Sequence, residues 1–126
     1  MTQGEQKKHR RRWREYRTAA GGRPVMQFID TLDDEEVAEV VAAMKEVQRD
    51  GLSAAKHLRG DLYEVRADAR TRSFRILFSA EGQFNQVLLS LSGFPKKTQK
   101  TPMQELDLAE SRLRDWRARA RAKKKP

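Results

Sequence analysis

Three lysines lie close together in a short segment between two prolines: Lys96, Lys97 and Lys100. This segment, residues 96–102, is called the lysine loop below, and it follows an apolar run at residues 87–91. A loop that leaves a rigid element is a common place for binding and catalytic residues. Because clustered ammonium groups attract phosphate, the pattern predicts an anion site. The competing interpretation is a solvated connector whose charges have no partner.

Two segments upstream of this loop, residues 62–66 and 73–79, alternate apolar and polar side chains as half-buried strands do. Matching their apolar sets predicts one face packed against helices, made of Tyr63, Val65, Phe74, Ile76 and Phe78. Glu64, Arg66 and Arg75 are then expected on the other, open face of the sheet. Such a group could bind an anion. The alternative is a cross-strand salt bridge between Glu64 and one of the arginines.

A histidine precedes the first of these strands, close to two basic residues. His57 follows Lys56 and lies two positions before Arg59, and the chain has one other histidine, His9. Since imidazole changes its charge near neutral pH, His57 could act as an acid or base from a loop beside the sheet. Lys56 and Arg59 are expected to add to the phosphate-binding surface. An ordinary surface histidine is the competing interpretation.

Composition excludes several classes of protein. The chain has 126 residues, which suits one domain, and its net charge is +9. It lacks cysteine and has two histidines, so disulfides and thiolate or histidine metal sites are not expected. No apolar run reaches the length of a membrane span and no secretory signal is recognisable, so we expect a cytoplasmic protein with no membrane partner. Positive charge is concentrated at both ends, which favours an anionic partner such as nucleic acid.

Local patterns predict a strand and two helices before the sheet, the first of them a short helix that begins at Pro24. Trp13 and Tyr16 lie in a short segment that could form an N-terminal strand. Asp33 and Glu36 have the spacing of a capping box, and Gly51 is a natural terminator, so a helix is expected between them. Its apolar stripe is expected to pack in the core.

The last helix is expected to begin directly after the lysine loop. Thr101 would cap it, with Pro102 at its first position and Gln104 completing a capping box. Its charge run is expected to fray beyond Trp116. The chain therefore divides into three segments: a basic N-terminal arm 1–11, a domain 12–117 and a basic C-terminal tail 118–126. The predicted fold class is α+β, a small and mostly antiparallel sheet with helices packed on one face.

Three motifs follow one another in this domain. They are Leu62-Tyr63-Glu64-Val65-Arg66, then Phe74-Arg75-Ile76-Leu77-Phe78, and, after Gly93-Phe94, Lys96-Lys97-Thr98-Gln99-Lys100-Thr101-Pro102. With this order the chain resembles the phage-derived HigB-like toxins of the RelE/ParE superfamily. The resemblance covers about residues 12–117, and the lysine run is its most specific part.

The resemblance implies the toxin of a type II toxin–antitoxin system, an endoribonuclease that cuts mRNA, usually on the translating ribosome. It also implies a helix-turn-helix antitoxin that neutralises the toxin, with operator DNA contacted only through their complex. By the same resemblance, Arg75 corresponds to an arginine at the scissile phosphate, and Arg66 to the arginine that ends the preceding strand. The remaining matches form the basic loop: Lys96, Lys97 and Lys100. Ser92 stands where several relatives carry a histidine.

Cleavage of RNA without a metal or other cofactor requires the 2′-hydroxyl to attack the adjacent phosphorus. A base takes the hydroxyl proton, cations stabilise the charged phosphorane, and an acid protonates the leaving 5′-oxygen. Arg66 and Arg75 suit charge stabilisation, because arginine retains its proton. The residues that could transfer protons are Lys96, Lys97, Glu64 and His57.

Two other functions compete with this one. ParE-like relatives act on DNA gyrase through protein contact, and a degenerate toxin could be a non-catalytic nucleic-acid-binding module. Arg75 together with the lysine loop favours the nuclease. A small helix-turn-helix gene beside this one would establish the type of system.

Overall fold

Five strands and three α-helices follow one another in the described part of the chain. The computed structural model describes residues 10–124. The strands are β1 (Arg12–Glu15), β2 (Lys56–Arg59), β3 (Leu62–Asp68), β4 (Ser73–Glu81) and β5 (Val87–Pro95). The helices are α1 (Pro24–Ile29), α2 (Asp34–Asp50) and α3 (Met103–Lys124), with short 3-10 turns at Gly51–Ala54 and Gln83–Asn85. Most of the predicted N-terminal arm, residues 1–9, lies outside the described residues.

The strands form one sheet in the order β1-β5-β4-β3-β2. Neighbouring strands are antiparallel except β1, which runs parallel to β5. The predicted α+β fold with a mostly antiparallel sheet is therefore confirmed, and so is the N-terminal strand around Trp13. The edge strand β2 was not expected, and it places His57 in a strand instead of the predicted loop.

Helices cover both faces of the sheet, whereas the sequence predicted helices on one face. On the first face Phe74 and Ile76 belong to a core shared with α1 and α2. On the second face Leu77 and Leu89 pack against Leu113 of α3. The central strands β4 and β5 are apolar at consecutive positions, as strands buried on both sides are. The alternation of apolar and polar residues in β3, considered by itself, does not indicate this second core.

The beginning and end of α2 agree with the predicted signals. The Glu36 amide donates to Asp33 Oδ1 at 2.8 Å and the Asp33 amide to Glu36 Oε1 at 3.0 Å, which closes the capping box. Gly51 ends the helix at a φ of 82°, a left-handed conformation that glycine adopts without strain. Arg72 also binds Glu36, with its Nε 2.6 Å from Oε2.

The helix α3 continues to Lys124, so the expectation that it frays beyond Trp116 was wrong. Its last turns are tied to the sheet by arginines. Arg117 donates to Glu81 Oε1 at 2.9 Å and Oε2 at 2.8 Å, and it also reaches Asp61 at 2.9 Å. The charge of Arg117 therefore holds this part of the helix against the sheet.

The strand β5 continues through Gly93 and Phe94, beyond the apolar run that predicted it. A Cβ atom at Gly93 would lie 2.5 Å from the Phe28 ring and 2.9 Å from Ile76 Cδ1, so α1 packs directly on the strand backbone. The Lys96 amide extends the pairing by donating to the Ser73 carbonyl at 2.8 Å. The sheet thus fixes the start of the lysine loop. No helix within residues 10–124 is long and apolar enough to span a membrane.

Candidate active site

Arg75 and Glu64 form an ion pair on the face of the sheet that α3 covers. In the register of β3 and β4, Arg66 lies opposite Arg75 and Glu64 opposite Leu77, so these side chains share one face as predicted. Arg75 Nε lies 2.7 Å from Glu64 Oε1. Their side chains are only 3% and 6% exposed. The sheet surface at this point is therefore covered, in contrast to the open surface expected from the sequence.

The lysine loop covers this ion pair and is held by it. The Arg75 guanidinium donates to the carbonyls of Thr98, Gln99 and Lys100 at 2.9, 2.5 and 3.0 Å. A buried guanidinium requires acceptors for its donors, and three consecutive loop carbonyls supply them. Arg75 therefore fixes the backbone of the loop from beneath.

Thr101 anchors the other end of the loop. Its hydroxyl, expected from the sequence to cap α3, donates instead to Glu64 Oε1 at 3.1 Å. The first turn of α3 begins from Pro102, whose carbonyl accepts from the amides of Glu105 and Leu106 at 3.0 and 3.2 Å. Glu64 thus contacts Thr101 at the end of the loop and Arg75, which in turn binds the middle of the loop.

Arg66 is the accessible arginine of this site, with 51% of its side chain exposed. Its Nε lies 2.8 Å from Asp68 Oδ1, which also accepts from the Ser73 hydroxyl at 2.5 Å. The hydrogen bond from Ser73, followed by that from Arg66, lowers the pKa of Asp68, and the charge of Lys96 contributes. Asp68 is therefore anionic at neutral pH and orients Arg66 without burying it.

A cleft of about 480 Å³ opens beside Arg66 and brings together residues from distant parts of the sequence. Its walls are formed by Glu46, Ser53, Ala54, Ala55, Lys56, Glu64, Arg66, Arg75, Lys96 and Gln99. Lys56 reaches this side of the sheet because it lies opposite Glu64 in the β2–β3 register. Three cations that are not buried, Lys56, Arg66 and Lys96, thus meet around one cleft.

Lys97 and Lys100 lie outside the walls of the cleft, on the exposed side of the lysine loop. Within residues 10–124 neither ammonium group makes an ion pair. Since Arg75 fixes the carbonyl of Lys100, the backbone below these lysines is ordered while their charges face solvent. They are placed to extend a cationic surface away from the cleft.

Besides Lys97 and Lys100, two more predicted site residues lie outside the cleft, His57 and Arg59. His57 lies opposite Tyr63, on the other face of the sheet from Glu64, and its ring centroid is 5.1 Å from that of Tyr63. Its Nε2 lies 2.8 Å from the Gly60 carbonyl and must donate to it, because a carbonyl only accepts. Arg59 is bound by two carboxylates of α3, Asp107 at 2.5 Å and Glu110 at 2.6 Å.

Sequence reasoning missed three polar residues of the cleft, Glu46, Ser53 and Gln99. Glu46 is exposed on α2, and its spacing from the apolar stripe resembles that of any solvated helix residue. Only the packing of the end of α2 beside the sheet brings it to the cleft, and no local pattern records that contact. Glu46 matters chemically because it is an exposed carboxylate, whereas Glu64 is buried.

No group of three or more histidine, aspartate or glutamate side chains in the described part of the chain could hold a metal ion. The chemical groups of the cleft are thus those of ordinary side chains: ammonium and guanidinium groups, carboxylates, a hydroxyl and an amide. These can bind a phosphodiester by charge and can transfer protons to and from it.

Comparison with known proteins gives a matching family and matching relatives. Residues 27–114 match the model of a family described as "Phage derived protein Gp49-like (DUF891)". The chain is also 32% identical, over 108 residues, to the "Probable endoribonuclease HigB1" of two strains of Mycobacterium tuberculosis. This alignment covers 83% of the chain and 84% of each relative. Both matches include β3, β4 and the lysine loop.

Proposed function

We propose that this chain is a toxin endoribonuclease that cuts mRNA and so inhibits translation. It belongs to the Gp49-like family of phage-derived proteins and is similar to HigB toxins over most of its length. The activity is supported by the mycobacterial relatives, which are named as probable endoribonucleases. The observation that carries the proposal is the meeting of Lys56, Arg66 and Lys96 around one cleft. Lys56, Arg66, Arg75 and Lys96 outnumber the carboxylates Glu46 and Glu64 in the cleft walls, and a cleft with an excess of positive charge attracts a polyanion.

Phosphate binding is assigned to the cations with access to solvent. Arg66 offers a planar guanidinium that can bind two phosphate oxygens at once, and Lys96 and Lys56 neutralise the neighbouring phosphates. Lys97 and Lys100 extend the track along the outer side of the lysine loop. Binding should therefore weaken with added salt, with a slope of log K against log salt near −0.7 for each phosphate neutralised.

The proposed reaction is transfer of the phosphodiester to the 2′-oxygen without a metal ion or other cofactor. Glu46 takes the proton of the 2′-hydroxyl, and the 2′-oxygen attacks phosphorus. Arg66 stabilises the charged phosphorane, and the Lys96 ammonium donates a proton to the 5′-oxygen as the P–O bond breaks. The products are a 2′,3′-cyclic phosphate and a 5′-hydroxyl. Glu46 is preferred to Glu64 as the base because Glu64 is held by Arg75 and Thr101.

Arg75 and Glu64 are assigned to positioning. Arg75 donates from its two terminal nitrogens to three loop carbonyls and forms an ion pair with Glu64, so contact with the scissile phosphate would require that loop to move. In the present arrangement the pair holds the lysine loop so that Lys96 faces the cleft. This differs from the direct phosphate contact that the family resemblance implied for Arg75.

The partners follow from this function. The toxin acts in the cytoplasm on mRNA at the ribosome, and a cognate helix-turn-helix antitoxin neutralises it. Operator DNA is contacted only by the complex of the two proteins. These partners rest on the family, and the exposed cations of the cleft and loop give the ribonucleic acid its binding surface.

Controlled expression in a bacterium tests the function. Wild-type protein should stop growth, and sequencing of RNA ends should show new cuts within translated messages. Arg66→Ala should relieve the arrest, whereas Arg114→Ala, which removes an exposed arginine of α3 outside the cleft, should leave it unchanged. Growth arrest without RNA cleavage would contradict the proposal, and arrest with gyrase-linked DNA breaks would support the ParE-like alternative.

A further inference from the structure

A second groove lies at the opposite edge of the sheet from the cleft. It has a volume of about 680 Å³ and runs between the edge strand β1 and the C-terminal half of α3. Trp13 lines one side and Trp116 the other. With β5, β4 and β3 intervening between β1 and β2, the two edges lie roughly 19 Å apart, at about 4.8 Å for each strand spacing. The groove is thus separate from the proposed catalytic site.

The strand β1 presents an unpaired edge to this groove. The Arg12 amide donates to the carbonyl of Gln86, directly before β5, at 2.8 Å, and the Tyr16 amide to that of Ser90 in β5 at 2.9 Å. The backbone groups of the even-numbered residues therefore face β5. By the two-residue period of a strand, the backbone groups of Trp13 and Glu15 point away from β5. Within residues 10–124, no strand flanks β1 on that side of the sheet. An edge of this kind can pair with an added strand.

The charged residues that line the groove indicate the charge of the segment that it binds. Glu15 is paired with Arg23, and Arg119 is paired with Asp115, so these groups are internally balanced. The remaining charged residues that line the groove are all basic: Arg14, Arg17, Lys123 and Lys124. Within residues 10–124 none of these four makes an ion pair. We propose that this groove binds an extended acidic segment of a partner protein, which adds to the sheet as a strand beside β1.

Two features together favour a protein strand as the occupant: the basic surface of the groove and the unpaired edge of β1. A basic surface alone would also suit RNA, and tryptophan can stack on a base. The free backbone groups of Trp13 and Glu15, however, are spaced to pair with a polypeptide, and hydrogen bonds between main chains carry most of the affinity in this mode of binding. Acidic side chains of the added strand would meet Arg14 and Arg17. The Trp13 ring packs on Phe78 and donates to the Met44 carbonyl on the first face of the sheet, so an apolar side chain of the added strand would instead contact Trp116 on the side of α3.

A synthetic peptide that alternates glutamate and valine tests the proposal. Trp13 and Trp116 are the only tryptophans of the chain, so intrinsic fluorescence reports directly on the groove. Peptide binding should change the emission and slow hydrogen exchange at the amides of Trp13 and Glu15. A peptide with proline at alternate positions should not bind, because it lacks the donors needed for pairing.

Charge reversal supplies the matched control. Arg14→Glu with Arg17→Glu should weaken the glutamate peptide about tenfold or more, because attraction becomes repulsion at two positions. Arg114→Glu with Arg121→Glu makes the same change in net charge on exposed positions outside the groove and should have little effect. RNA cleavage should be unaffected by the Arg14/Arg17 variant. Equal weakening by both variants, no fluorescence change, or displacement of the peptide by single-stranded RNA would each overturn the proposal.

Discussion

Removal of Arg75 should destabilise the whole domain, because it leaves Glu64 as an uncompensated charge. Glu64 is 6% exposed and Arg75 is 3% exposed, so water cannot easily replace the lost partner. Breaking a buried ion pair by deleting one member costs about 3–5 kcal/mol. A domain of this size has a total stability of roughly 5–15 kcal/mol, so Arg75→Ala removes a large part of it.

Urea denaturation followed by far-ultraviolet circular dichroism measures this cost. With a slope of about 2 kcal/mol per molar urea, the midpoint of Arg75→Ala should fall by about 1.5–2.5 M. Arg66→Ala is the matched control, because Arg66 lies directly opposite Arg75 in the register yet is 51% exposed. Its loss should cost less than about 1 kcal/mol.

A double variant separates the charge from the rest of the side chain. Arg75→Ala combined with Glu64→Gln should recover part of the stability, because the buried negative charge is removed together with its partner. The reasoning is refuted if Arg75→Ala and Arg66→Ala cost the same, or if the double variant is as unstable as the sum of the single ones.

Three further predictions concern other parts of the molecule. Glu46→Gln should slow RNA cleavage by about 100-fold in single-turnover assays while leaving RNA affinity and stability unchanged, and unaltered cleavage would remove Glu46 from the reaction. The hydrogen bond from Arg72, followed by that from the Asp33 amide, lowers the pKa of Glu36 in the folded state. The stabilisation by Glu36 is therefore fully present above pH ~4.3, the ordinary pKa of glutamate, and is lost as the pH falls through the lower pKa of the folded state. Unfolding measured from pH 2 to about 6 should therefore show a weaker acid dependence for Glu36→Gln than for the wild type, and identical curves would be inconsistent with this coupling. Arg117→Ala should lower the free energy of unfolding by roughly 1–3 kcal/mol, because Glu81 is 9% exposed and loses two charged hydrogen bonds, whereas Arg121→Ala should be neutral in the same thermal or urea titration.

The sequence predicts the strands well, because the two-residue period of β3 and the apolar content of β4 and β5 are local signals. It also predicts the capping box of α2, where Asp33 and Glu36 stand three positions apart. It does not reveal the edge strand β2, which is short and polar: Lys56–Arg59 carries little apolar pattern and pairs only through its backbone register with β3.

The covering of both sheet faces explains the main differences at the site. The sequence of β3 by itself predicts that the sheet face with Glu64 is polar and therefore exposed to solvent. The burial of Arg75 depends on a loop that leaves β5 and returns its carbonyls to the guanidinium, 23 to 25 residues away in the sequence. Glu46 reaches the cleft only through the packing of α2 beside the sheet. Contacts between residues far apart in the sequence produce no periodic pattern. The sequence could therefore predict that charged residues form the site, but not which groups surround them.

The chemistry of the cut RNA end tests the central claim most directly. Purified protein is added to a cell-free translation reaction that contains a defined mRNA, and the ends of the fragments are analysed for wild-type protein, Arg66→Ala, Lys96→Ala and the control Arg114→Ala. The account predicts fragments with a 2′,3′-cyclic phosphate and a 5′-hydroxyl for the wild type and the control, and about 100-fold slower cleavage for Arg66→Ala and Lys96→Ala. Fragments that carry a 5′-phosphate, or full cleavage by both cleft variants, would contradict the account.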